Sequence, residues 1–239
     1  LLMIAFVKSE QDIYLYALIS QIAIVFTSIL NIVHFMTRWR IRVSFKWNNH
    51  IFVHLKYVLI LFGNAVSMLI YVNSDITLIG IFCGEADVGI YSVAVKIYTI
   101  IKQLLNALMI VGVPRMARWT GTRSKDETDN QLNAILETML CFLIPCIVGL
   151  VILSKSIIYM LAGSGYELAR SALQILALTL FFSTGVCFYS DLVLIPNNME
   201  KHILKATIIS AALNIVLNLV FIPRYGLIAA ACTTLLSEF

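Results

Sequence analysis

The sequence predicts an all-α bundle of membrane-spanning helices, and three observations predict it. First, 60% of the 239 residues are hydrophobic and only 13% are charged, with a mean hydropathy of +0.91. Soluble domains carry about 25% charged residues. Second, the apolar residues fall into runs long enough for a bilayer, which takes about 20 residues of helix. Third, the basic residues alternate from one connection to the next. The net charge of +4 is therefore a topology signal, and no nucleic-acid partner is expected.

In chain order, complete spans are expected at Ile13–Phe35, Tyr57–Phe82, Val88–Val113, Leu132–Leu153 (extending toward Ala162), Leu168–Ile195 and Ile203–Ile222. Partial spans stand at Leu1–Val7 and Leu227–Phe239, the latter only 13 residues long. A chain that starts on Leu1 inside one span and stops inside another reads as an internal piece of a longer protein.

The connections fix the orientation. Arg38, Arg40, Arg42, Lys46, Lys56, Arg115, Arg118, Arg123, Lys125, Lys201 and Lys205 fall on one side. Lys8, Lys155, Arg170 and Arg224 fall on the other. An excess of Lys and Arg marks the first side as cytoplasmic. The outer loops Gly84–Asp87, Gly163–Glu167 and Pro223–Gly226 are short, and the inner loops Thr37–Lys56 and Arg115–Gln131 are the longest. Neither side has room for a separate domain, so function is expected inside the membrane bundle.

Residues three, four, seven and eleven apart share a helix face. Ser92, Lys96, Thr99, Gln103 and Asn106 form such a stripe, as do Asn64, Ser67, Tyr71 and Asp75. Weaker stripes follow at Thr179, Ser183, Cys187 and Asp191, and at Thr207, Ser210, Asn214 and Asn218. Hydroxyl and amide edges can simply hold helices together. A charge at mid-bilayer costs about 2.5–3.5 kcal/mol on insertion scales, so Asp75, Lys96 and Lys102 need partners or water. Together the stripes imply a hydrophilic cavity. Counting residues puts Asp75 and Lys96 at similar depth, about 10–12 Å inside the outer boundary, where they could pair across the hairpin. Lys102 has no opposite charge at matching depth, which suits it to meet an anionic substrate.

The remaining features are weaker. His50 and His54 have helical zinc-ligand spacing but lack an intervening Glu and a third ligand. Pro145 is a kink and a candidate hinge. The five cysteines show neither disulfide nor zinc spacing. Phosphate loops, nucleophile elbows and paired catalytic carboxylates are absent, so neither an enzyme nor a bound cofactor is expected.

Three stretches resemble Wzx-type polysaccharide flippases. They are Asp75-Ile76-Thr77-Leu78-Ile79-Gly80 with Val88-Gly89-Ile90-Tyr91-Ser92-Val93-Ala94-Val95-Lys96, then Pro114-Arg115, then the run Asn214 to Ala231 through Pro223-Arg224-Tyr225-Gly226. The resemblance implies a MATE-like fold of two six-helix lobes facing a central cavity that opens alternately to each side. Residues 1–50 would then be the end of the first lobe with its cytoplasmic loop, and 51–239 an incomplete second lobe.

It also implies the activity: moving undecaprenyl-pyrophosphate-linked oligosaccharide repeat units across a bacterial inner membrane for O-antigen or capsule assembly. On that reading Lys96 and Lys102 attract the pyrophosphate, while Asn64, Tyr71, Gln103 and Asn106 bond sugar hydroxyls. Ser92, Asp191, Asn214 and Asn218 complete the cavity lining. Asp75 pairs with Lys96 or takes up a coupling proton, with sodium the alternative ion. Membrane lipids and other polysaccharide-assembly proteins are the further expected partners. Two rivals stand beside this: a MATE-type exporter of cationic drugs, whose cavity should be acidic, and a membrane polysaccharide polymerase, which usually needs a sizeable outer loop.

Overall fold

The computed structural model describes residues 13–38, 51–110, 112–114, 116 and 124–239. The partial span Leu1–Val7, His50 and the loop residues Arg40, Arg42, Lys46, Arg118 and Arg123 lie outside them. The chain divides into two compact units, Leu1–Phe52 and Val53–Phe239.

Within the first unit, α1 covers Ile13–Arg38. Its hydroxyls turn back onto their own helix: Thr27 donates to the Ala23 carbonyl (2.8 Å), Ser28 to Ile24 (2.9 Å) and Thr37 to Val33 (2.8 Å). That is how a hydroxyl is satisfied where water is missing.

The second unit is a helical bundle built from α2 (Ile51–Phe82), α3 (Glu85–Ile110), α4 (Lys125–Ala162), α5 (Ala169–Tyr189) and α6 (Glu200–Glu238). Six described helices in the whole chain are long and apolar enough to cross a membrane, and no described residue is in a strand. The protein is an all-α multi-pass membrane bundle, with the spans at the expected places.

Helix α5 is the centre of the bundle, packing against α3, α4 and α6. Half of its span is buried, against 28% or less for the others. Its buried positions are partly small: Ala169, Ala172 and Ala177. Ala94 of α3 and Ala229, Ala230 and Ala231 of α6 are buried likewise. In lipid there is no hydrophobic drive between helices, so close backbone approach over small residues has to hold them. Leu143 and Leu150 of α4, Leu173, Leu176 and Leu180 of α5, and Leu105 and Met109 of α3 fill the remaining space.

Two local features depart from expectation, the start of α4 and the end of α5. Helix α4 starts at Lys125, seven residues ahead of the expected Leu132, which shortens the Arg115–Gln131 loop. Ser124 caps it by accepting the Glu127 backbone N–H at 3.3 Å, and Asp126 and Glu127 suit the positive helix start. The same helix runs through Pro145. Helix α5 widens at its end into a π turn, Ser190–Leu194, before the chain turns at Asn198 (φ 56°).

Helix α6 reverses direction. Gly226 has φ 57° and ψ −135°, outside any helix. The Asn218 side chain accepts a hydrogen bond from the Thr233 hydroxyl. Fifteen residues of straight helix would separate those two by about 22 Å. Residues 200–225 and 227–238 are therefore two legs of a hairpin, matching the separate spans expected at Ile203–Ile222 and Leu227–Phe239. Cys83, in the α2–α3 turn, lies against this hairpin: its Sγ is 4.0 Å from the Ile222 carbonyl.

The Gly226 backbone conformation is one that side chains penalise, although space is open around it, with Cys83 Sγ 3.9 Å from a Cβ placed there. Gly226→Ala should thus cost about 1–3 kcal/mol through the backbone alone. A fluorescence-detected thermal melt of the purified protein should show a clear drop. An unchanged melting temperature would mean that the hairpin relaxes to another turn.

Candidate functional site

Four elements meet at Asp75. Its Oδ2 accepts from the Tyr91 hydroxyl of α3 (3.1 Å) and from Thr234 Oγ1 of the second α6 leg (2.6 Å). Its Oδ1 accepts from Asn218 Nδ2 of the first α6 leg (2.6 Å). Asn218 also donates to Asn214 Oδ1 (2.9 Å), which takes a second bond from Ser74 (3.0 Å). Tyr71 donates weakly to the Thr234 carbonyl (3.5 Å). Asn214 and Asn218 are fully buried, and Asp75 is 6% exposed.

Helix phase explains why these residues converge. Asp75 and Tyr91 are each counted from the α2–α3 turn, and Asn218 and Thr234 from Gly226. All four lie about 9–12 Å along their helices from those turns. The network is consequently one layer across the bundle, centred on the Asp75 carboxyl group. Among the described residues no Lys, Arg or His pairs with Asp75.

The pairing of Asp75 with Lys96 is not formed. Lys96 is exposed, and the described residues give it no ion pair. Depth alone suggested the pair, but Lys96 is five residues beyond Tyr91, about 140° further round α3. Tyr91 faces the core and Lys96 faces away from it. The rest of its stripe follows: Gln103 is exposed, and Ser92, Thr99 and Asn106 are half-buried. The buried face of α3 is instead Tyr91, Ala94, Tyr98, Leu105 and Met109.

Lys102 occupies a second site, nearer the other end of the bundle, about 25 Å along α3 from its start. It lines a cavity of about 340 Å³ together with Tyr71 of α2, Ser183 and Cys187 of α5, and Ser210 and Glu238 of α6. The expectation that Lys102 lacks an opposite charge is corrected here: Glu238 Oε1 is 3.7 Å from its Nζ. Glu238 belongs to the short last leg, and only the reversal at Gly226 brings it back down to Lys102. The ammonium also lies 5.7 Å from the centre of the Tyr98 ring, a cation–π distance. Tyr98 in turn donates to Ser183 Oγ (3.1 Å).

The other candidates are more scattered. Asn64 and Asn106 each keep a buried carbonyl oxygen without a partner, and Asn214 a buried amide nitrogen. Asp191 is half-buried in the π turn. Sequence reasoning missed Tyr91, Thr233, Thr234, Tyr98 and Glu238. The two tyrosines read as ordinary core, and the last leg was too short to show a stripe.

Asp75→Ala would leave the Tyr91 hydroxyl and one N–H of the Asn218 amide buried without their acceptor, at about 1–3 kcal/mol for each orphaned donor, while Thr234 can still donate to the Ala230 carbonyl (2.9 Å). Protein purified in detergent should melt well below the wild type. Asp75→Asn, which keeps an acceptor oxygen, should fall less, and Lys96→Ala should be neutral. Equal damage from Lys96→Ala would show that the lysine, not the network, balances Asp75.

Sequence comparison gives this arrangement its family. A family described as polysaccharide biosynthesis protein matches residues 11–171. The chain is also 26% identical over 195 residues to the probable low-salt glycan biosynthesis flippase Agl15 of Haloferax volcanii. That alignment covers 81% of this chain and 40% of the relative, so the chain spans well under half of that protein's length. No solved structure matches. With more than half of its residues matched by the family, this chain belongs to the polysaccharide biosynthesis protein family.

Proposed function

We propose that this chain forms part of a flippase that carries a lipid-linked oligosaccharide across a membrane. The observation that carries the reading is the cavity at Lys102, where the Lys102–Glu238 ion pair and the hydroxyls of Tyr71, Ser183 and Ser210 line a space within helices that span a bilayer. A polar interior at membrane depth serves passage or binding of something polar, because an idle one is costly. Family membership and the flippase relative support the same reading. In its finer form the cargo is an undecaprenyl-pyrophosphate-linked repeat unit for O-antigen or capsule, moved across a bacterial inner membrane by alternating access between two MATE-like lobes.

In this reading Lys102 receives the pyrophosphate. Its ion pair with Glu238 is longer than the roughly 2.7–2.9 Å of a strong charge-assisted hydrogen bond, so an arriving anion can compete for it. The Ser92, Lys96, Thr99 and Gln103 stripe points out of the helical core. A membrane helix does not leave a lysine and a glutamine facing hydrocarbon, so this face would border a second wet surface made with the rest of a longer protein. Asp75 is the place for a coupling cation. The surrounding oxygens of Asn214, Asn218, Thr233 and Thr234 suit a proton or a small hard ion such as sodium.

Complementation tests the proposal. The full-length protein should restore surface polysaccharide to a flippase-null bacterium with a matched glycan. Lys102→Ala should abolish that polymer at normal membrane expression, and Glu238→Gln should retain it. Absence of polymer together with protection against a cationic dye would replace the flippase by a drug exporter.

A further inference from the structure

The α4–α5 connection holds a second cavity, of about 220 Å³, far along the bundle from Lys102. Its lining includes Lys155, Ile158, Tyr159, Ser164, Glu167 and Arg170. Two features open it. Gly163 leaves α4 with φ 85°, after its N–H has closed the helix on the Tyr159 carbonyl at 3.0 Å. A Cβ at Gly163 would meet nothing within 4 Å, so the concavity lies open beside it.

The charges of this cavity do not cancel. Lys155 Nζ is 3.2 Å from Glu167 Oε1, and both side chains are 66% exposed. Such an exposed pair holds weakly. Arg170, in the first turn of α5, has no acid partner among the described residues, so the lining is one positive charge in excess. Lys155 is rooted seven residues inside the end of α4, about 10 Å down, and its long stem carries the ammonium up to Glu167.

The rest of the wall is apolar. Ile158 is buried at the cavity, whereas Tyr159, Met160 and Leu168 beside it are strongly exposed on the outside of the spans. The cavity thus joins a lipid-facing apolar surface to a basic rim at the level of the bilayer headgroups. Sites for drug-sized ligands run to roughly 300–1,000 Å³. This one is smaller, which suits a headgroup and not an oligosaccharide. A soluble anion would leave the apolar wall unused. Basic pockets between membrane helices take lipid phosphates for these reasons.

We propose that the α4–α5 connection binds the phosphate headgroup of an anionic membrane lipid, with Arg170 and Lys155 as its ligands and the acyl chain lying along exposed α4. The site is on the side opposite the Lys- and Arg-rich loops, and so belongs to the outer leaflet. It is independent of the transport reading.

Native mass spectrometry of the full-length protein in micelles doped equally with phosphatidylglycerol and phosphatidylcholine tests this. The wild type should retain phosphatidylglycerol in preference. Arg170→Ala and Lys155→Ala should each reduce that preference about fivefold, the scale of one basic residue at an anionic surface. Glu167→Gln should strengthen it. Arg224→Ala, which alters a basic residue outside the cavity, should change nothing. Equal retention of the two lipids overturns the proposal, as does an equal loss with Arg224→Ala. Displacement of phosphatidylglycerol by inorganic phosphate at similar concentration would replace the lipid with a free anion. All these side chains except Ile158 are at the surface, so melting curves of the variants should match the wild type.

Discussion

A carboxyl group at membrane depth must be surrounded by hydrogen-bond partners, and α2, α3 and both legs of α6 meet around one such group. Asp75 draws a tyrosine from α3, an asparagine from the first leg of α6 and a threonine from the second. Each donor comes from a different segment, so the three bonds fix how those segments sit on α2. Small residues on α5 and α6 then allow the backbones to approach closely enough for short polar side chains to reach across. Removing the acceptor loosens the hold of all three segments on α2 at once, so the stability of the bundle is concentrated at this point.

Helix α3 shows how one span can serve two surroundings. Lys96 and Lys102 are six residues apart, about 120° round the helix. One faces away from the core of its unit, and the other faces a cavity within it with Glu238 and Tyr98 for company. The two lysines, which the sequence suggested share one cavity, point in different directions from one helix within this unit. Tyr98 sits between them in role: its ring touches the Lys102 ammonium and its hydroxyl reaches Ser183 of α5.

The spans themselves were legible because bilayer crossing imposes a length that composition reveals directly. Depth was legible too, since it follows from counting residues from a turn. Asp75 therefore stood out, and Asn214 and Asn218 were placed correctly on one edge. Direction round the helix was not. It depends on which face packs, and on α3 the packing face is set by Tyr91, Ala94 and Tyr98, residues that carry no sign of a site. Glu238 was invisible for a different reason. Its partner is fixed by the reversal at Gly226, which returns a chain segment to a depth that no short-range spacing encodes.

The bond between Asn218 and Thr233 has a consequence for how the protein is made. The two legs of α6 hold polar groups that would each be costly to deliver singly into lipid. Because those groups satisfy one another across the hairpin, the legs can enter the bilayer together as a closed pair. Asp75, synthesised long before, then waits for its last donors until that pair arrives. Biogenesis is thereby ordered: the buried polar layer at Asp75 is completed only when the chain has reached its final described helix.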